Sequence, residues 1–143
     1  MANYDEYLEQ EKSRLLKAIK HLEYSYNKVQ TLSEYTEQLD EVSMEIWESF
    51  AARFDRVADM FMMRYLRACV LQQDVGFVGS FRDFLNQAEK INLIEDAETW
   101  MAIRGLRNIA AHEYTDKDLA EFFKRLKKEA PLLLSLRAVL DPS

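Results

Sequence analysis

The chain contains only three Gly, and its two Pro residues both lie at or beyond Pro131. Compact β folds turn every few residues and need Gly and Pro to do so, whereas long helices are broken by them. More than a hundred residues without a proline therefore predict long, uninterrupted helices. The hydropathy pattern agrees. Leu8, Leu15, Ala18, Ile19, Leu22, Tyr26 and Val29 recur at three- and four-residue steps, which predicts an amphipathic helix from about Tyr4 to Leu32. A polar patch from Ser33 to Asp40 ends it. A second helix is expected from about Glu41 to Gln72, with Ile46, Phe50, Phe54, Val57, Phe61, Tyr65 and Ala68 along its inner stripe, widened by Met60, Met62 and Met63.

Gly76 and Gly79 bracket the next turn, and Ser80 is placed to cap a short helix to about Ile91. After a connection from Asn92 to Glu95, a fourth helix opens near Asp96 and runs through Trp100, Ile103 and Leu106 towards Ala111. Thr115 or Asp116 then caps a fifth, with Leu119, Phe122, Phe123 and Leu126 inside. Pro131 removes a backbone donor and should kink or interrupt it. No strand-like alternation, repeat or low-complexity linker appears, so the expectation is one all-α domain over residues 1–143, a four- to five-helix up-down bundle.

At 143 residues, with 48% hydrophobic and 31% charged residues, such a domain can bury a sizeable core. The methionines and aromatic stripes are then core material. Cys69, the only cysteine, rules out an internal disulfide and reads as a small core residue. No apolar run is long enough to span a bilayer, and the first residues have no signal-peptide pattern, so no membrane association and a cytoplasmic location are expected. The net charge of −6 speaks against a general nucleic-acid coat. It is unevenly spread, however: residues 1–50 hold 5 Lys/Arg against 11 Asp/Glu, and residues 100–143 hold 8 against 6. A phosphate-bearing partner belongs at the C-terminal part.

Most catalytic patterns are missing. His21 and His112 stand apart without an H-E-x-x-H or a cysteine partner, so neither a metal site nor a cofactor is expected. There is no glycine-rich phosphate loop and no G-x-S-x-G elbow. His21 reads as a solvated surface residue. The run Arg107-Asn108-Ile109-Ala110-Ala111-His112-Glu113-Tyr114 is different. On a helix, Arg104, Asn108 and His112 step by four along one face, Arg107 and Tyr114 share a neighbouring face, and Ile103, Leu106 and Ala110 can hold the core side. A guanidinium can grip phosphate oxygens and stabilise charge gathering on phosphorus, and an imidazole can relay a proton near neutral pH. Asn108 can orient either group. The same residues also admit a purely structural reading: Arg107 pairing with a carboxylate, His112 capping the helix end and Tyr114 packing.

The R-N-x-x-x-H segment resembles the signature of HEPN domains, an Arg followed by a polar residue with a His four to six residues on. The fuller R-x-x-x-x-H-x-Y pattern of Arg107, His112 and Tyr114 resembles the HepT toxins that pair with minimal nucleotidyltransferase antitoxins. Residues 50–59 and 100–108 are similar to that family's second and fourth helices, and the likeness covers roughly residues 45 to 140. The resemblance implies a helical bundle, usually a homodimer, with paired motifs lining a shared cleft. It implies a metal-independent endoribonuclease toxin acting on RNA with Arg107 and His112 as catalytic residues and Asn108 and Arg104 supporting them. It further implies silencing by a cognate minimal nucleotidyltransferase antitoxin that adds AMP to Tyr114. Other relatives act as non-catalytic companion or substrate-binding subunits of nucleotidyltransferases, which is the alternative reading. This sequence lacks the Gly-Ser and paired-Asp pattern of a nucleotidyltransferase, so any AMP transfer must come from another protein.

Overall fold

The computed structural model describes residues 4–109 and 115–142, with the side chains of residues 107–109 outside that description. The described residues are helical with no strand: α1 (Tyr4–Val29), α2 (Glu41–Asp59), a π-helical segment (Met60–Tyr65), α3 (Leu66–Gln73), α4 (Phe81–Lys90), α5 (Ala97–Ile109) and α6 (Asp116–Leu140). A 3-10 turn, Thr36–Gln38, lies in the α1–α2 connection. The joints around the π segment keep right-handed helical backbone, so α2, the π segment and α3 form one rod. The described residues thus make five rods, an all-α bundle as expected.

Successive helices pack on one another, α1 on α2, α3 on α4, α4 on α5 and α5 on α6, while α6 closes back onto α1 and α2. The predicted stripes point inward. Leu15, Ile19, Leu22 and Val29 of α1 meet Phe50, Phe54 and Val57 of α2, and Ile103 and Leu106 of α5 and Phe123, Leu126, Leu133 and Leu136 of α6 complete the core. Removing this apolar surface from water is the main force holding the rods together. Trp47 ties three parts at once. It stacks on Phe123 at 4.6 Å, meets Phe50 edge-on at 5.8 Å, and donates its indole N–H to the Ser33 carbonyl at 2.9 Å.

Three details depart from the pattern reading. Helix α1 ends at Val29, where the Leu32 N–H turns back to the Val29 carbonyl at 3.1 Å. The second rod contains a π turn, in which the Leu66 N–H donates to the Phe61 carbonyl five residues back. The extra residue moves the inner stripe on by one position: Phe61 and Leu66 are both fully buried, while Tyr65 is half-buried. Pro131 neither interrupts α6 nor divides it. It sits on the exposed side, where solvent can satisfy the Lys127 carbonyl that loses its donor. The expected run of the fourth helix to Ala111 is described only to Ile109, since Ala110 and Ala111 lie outside the described residues.

Cys69 is half-buried, and burial pushes its thiol up to about 11, so it stays protonated and unreactive as a core-edge residue. Its neighbour Tyr65 is raised to about 12, first by burial and then by Cys69. His21 is exposed, and its carbonyl accepts from Arg53 at 3.1 Å. No described helix is long and apolar enough to cross a membrane.

Candidate functional site

The candidate residues lie where α5 ends and α6 begins, and both helices are anchored at their starts. At its start, α5 is capped by Asp96, which accepts the Glu98 N–H at 3.2 Å and the Thr99 hydroxyl at 2.7 Å. Those bonds hold the Asp96 carboxyl below its ordinary value, Thr99 contributing most. Glu89 reaches across from α4 and accepts the Ala97 N–H at 2.8 Å. Both carboxylates face the positive end of the helix dipole. Trp100 packs on Phe61 at 4.7 Å, and Ile103 and Leu106 are buried, so the expected core face of α5 is the observed one.

The start of α6 is fixed independently. Thr115 accepts the Asp118 N–H at 3.1 Å as N-cap. The Thr36 hydroxyl donates to Asp116 Oδ1 at 2.8 Å, tying the first residue of α6 to the 3-10 turn. Lys124 lies 4.6 Å over the Tyr35 ring and donates to its hydroxyl at 3.1 Å, which raises the ammonium's pKa. The segment 110–114 therefore joins α5, whose opposite end is held by Asp96 and Glu89, to the anchored start of α6.

Arg107 and Asn108 belong by backbone to the last turn of α5, but their side chains lie outside the described residues. His112 and Tyr114 lie outside them altogether. Arg104 is described, and it is not simply a solvated companion of the motif. Its guanidinium lies 4.1 Å over the Phe81 ring at the start of α4. Its Nη1 is buried and finds no hydrogen-bond acceptor among the described residues. Beside it, a Cβ built on Gly105 meets no described residue within 4 Å.

Two residues were not singled out in the sequence: Phe81, which carries Arg104, and Arg67 of α3, whose guanidinium lies 4.3 Å over Phe84. The contacts join separate helices, so no local pattern announces them; the only hint is the i, i+3 spacing of Phe81 and Phe84 on one short helix. Among the described residues no group of three or more His, Cys, Asp and Glu side chains could hold a metal ion.

A groove of about 380 Å³ opens at the other end of α5, between Leu93, Ile94, Trp100, Leu132, Leu136 and Val139. The Glu95 and Asp96 carboxylates on its wall make it a poor host for phosphate, so it is not part of the candidate site.

The model of the family described as nucleotidyltransferase substrate binding protein like matches residues 10–135. Neither curated proteins nor solved structures give a match. The family match covers well over half of the chain, which belongs to that family.

Proposed function

We propose that this member of the nucleotidyltransferase substrate binding protein like family works beside a nucleotidyltransferase and is itself a metal-independent endoribonuclease, the toxin of a HepT-like toxin–antitoxin pair. The observation that carries the reading is the Arg107–Asn108–His112–Tyr114 pattern at the junction of two anchored helices. Arg107 and Asn108 fall in the last turn of α5, and α6 restarts at Asp116.

The chemistry needs only groups of this chain and the RNA itself. The ribose 2′-hydroxyl attacks the adjacent phosphorus, the bond to the 5′-oxygen breaks, and the products carry a 2′,3′-cyclic phosphate and a 5′-hydroxyl. His112 relays the proton between the attacking and leaving oxygens. Arg107 donates to the non-bridging oxygens as negative charge gathers there. Asn108 orients the pair, and Arg104 supports it from one turn earlier. Silencing follows when the partner joins AMP to Tyr114. The phenol oxygen attacks the α-phosphorus of ATP, pyrophosphate leaves, and the phenolic proton passes to a base of the partner. The anionic adduct then crowds the cleft and repels RNA phosphate.

The family description favors a second reading, in which the chain is a non-catalytic substrate-binding subunit of the nucleotidyltransferase. Co-expression with a minimal nucleotidyltransferase followed by mass spectrometry separates the two. The toxin reading expects AMP-sized additions at Tyr114, absent in Tyr114→Phe, together with loss of RNA cleavage. An unmodified Tyr114 in a protein that never cleaves RNA, alone or in complex, supports the companion reading.

A further inference from the structure

We propose that Arg67 and Arg104, each laid on a phenylalanine of α4, form a phosphate-holding pair that receives the RNA strand beside the Arg107–His112 segment. The inference rests on RNA being the substrate, but not on the chain cleaving it.

The observation behind it is two arginines on neighbouring helices that lie over phenylalanine rings and make no ion pair among the described residues, in a chain of net charge −6. Arg14, Arg82 and Arg137 are paired with Glu11, Glu98 and Glu23, and Arg53 donates to the His21 carbonyl and Ser25 hydroxyl. Arg67 and Arg104 make no ion pair among the described residues. Their guanidinium carbons lie instead over the Phe84 and Phe81 rings, 4.3 and 4.1 Å from the centroids. A cation held over a ring in this way is positioned without using up its N–H donors.

Arg104 goes further. Its buried Nη1 has no acceptor among the described residues, a cost that folded proteins seldom accept without a return. Arg104 as a whole is only half-buried, so its other N–H groups can meet a phosphate oxygen, the acceptor a guanidinium suits best. The two phenylalanines are one turn apart on α4, so α3 delivers Arg67 and α5 delivers Arg104 to the same short stretch of helix. Arg104 also stands one turn before Asn108 on α5, and a Cβ built on Gly105 beside it meets no described residue within 4 Å. A strand lying on this pair would thus run towards the α5 end where Arg107 sits. A phosphodiester chain fits two separated cations better than a lone inorganic phosphate does.

The test uses full-length His112→Ala protein, so that bound RNA stays intact, and a short fluorescein-labelled single-stranded RNA read by anisotropy across a salt series. Arg67→Gln and Arg104→Gln should each weaken binding about tenfold or more. Each should also flatten the slope of log affinity against log salt by about 0.7, the single-strand value for one lost phosphate contact. Phe81→Leu, which keeps the Arg104 charge but removes its platform, should weaken binding less and leave the slope steeper than Arg104→Gln does. Arg137→Gln, paired with Glu23 elsewhere on the surface, is the control for general charge loss. Circular dichroism checks each fold, and exposed Arg67 keeps the test decisive if Arg104→Gln melts early.

RNA binding that ignores both arginines, or folded protein that binds no RNA, overturns the proposal. So does ATP binding with the same arginine dependence where RNA is not held, which would make this a nucleotide site. Arginine-dependent RNA binding by a wild-type chain that never cuts RNA would sustain the proposal and remove only the nuclease reading.

Discussion

The Thr36 hydroxyl donates to Asp116 Oδ1 at 2.8 Å across 80 positions of sequence, and Thr36 is only 8% exposed. That bond fastens the first residue of α6, and with it the far end of segment 110–114, to the connection between α1 and α2. Thr36→Val keeps the shape and removes the donor. It should lower stability by about 1 kcal/mol, because Asp116 is solvent-exposed and water recovers part of the loss. Urea denaturation should show a lower midpoint with an unchanged slope. An unmoved midpoint would show that the bond does not hold α6 in place.

Three helix starts should weaken together in acid. Asp40 accepts the Ser43 N–H, Asp83 accepts the Ser80 N–H in a reciprocal capping box, and Asp96 accepts from Thr99 and Glu98. These bonds favour the ionised carboxylates and hold all three below the ordinary value of 3.8. A folded value below the unfolded one means the stabilising contribution is complete above about 3.8. It is lost as pH falls through the lower folded value. Carboxyl NMR titration should therefore give midpoints under 3.8 for all three. Ser80→Ala should bring Asp83 part of the way back, since the Ser80 N–H remains. A midpoint for Asp83 at or above 3.8 in the folded protein would contradict the capping box.

How far the sequence reveals this molecule depends on whether a feature is local. Helix starts are local: Ser80, Asp96 and Thr115 cap where their side chains suggest, and the buried faces of α1, α5 and α6 follow from three- and four-residue spacing. The π turn at Met60–Tyr65 is hidden, because methionines and aromatics surround it and every phase of the stripe looks apolar. Pro131 does not interrupt α6, and the residue type does not say on which side of the helix it sits. Arg104 stands out in the sequence as a neighbour of the motif. Its seat on Phe81 is a contact between helices more than twenty residues apart, and no periodicity encodes it.

Gly105→Ala should stabilise the fold. A glycine inside a helix costs up to about 1 kcal/mol relative to alanine. The added Cβ meets none of the described residues within 4 Å, so no packing penalty from them offsets the gain. Thermal melting should move upward, and a downward shift would mean that α5 is closed in at this point.

A two-fold homodimer with a shared site is the expected assembly. Five residues separate Arg107 from His112, which on a regular helix sets them about 140° apart, so two facing copies present an Arg and a His to one phosphate more squarely than one copy does. Light scattering should report twice the 16.9 kDa chain mass. Mixing Arg107→Ala with His112→Ala chains should restore part of the cleavage activity. No recovery after proven subunit exchange would mean that each chain uses its own pair.

The central claim is tested most directly by the rate at which the purified protein cuts RNA in excess EDTA, compared with its Arg107→Ala and His112→Ala variants. The predicted result is chelator-resistant cleavage leaving 2′,3′-cyclic phosphate ends, reduced at least about a hundredfold by either substitution, as expected for loss of a general acid–base group or its electrostatic partner. Cleavage that vanishes with EDTA, or that persists in both variants, would contradict an Arg107–His112 ribonuclease.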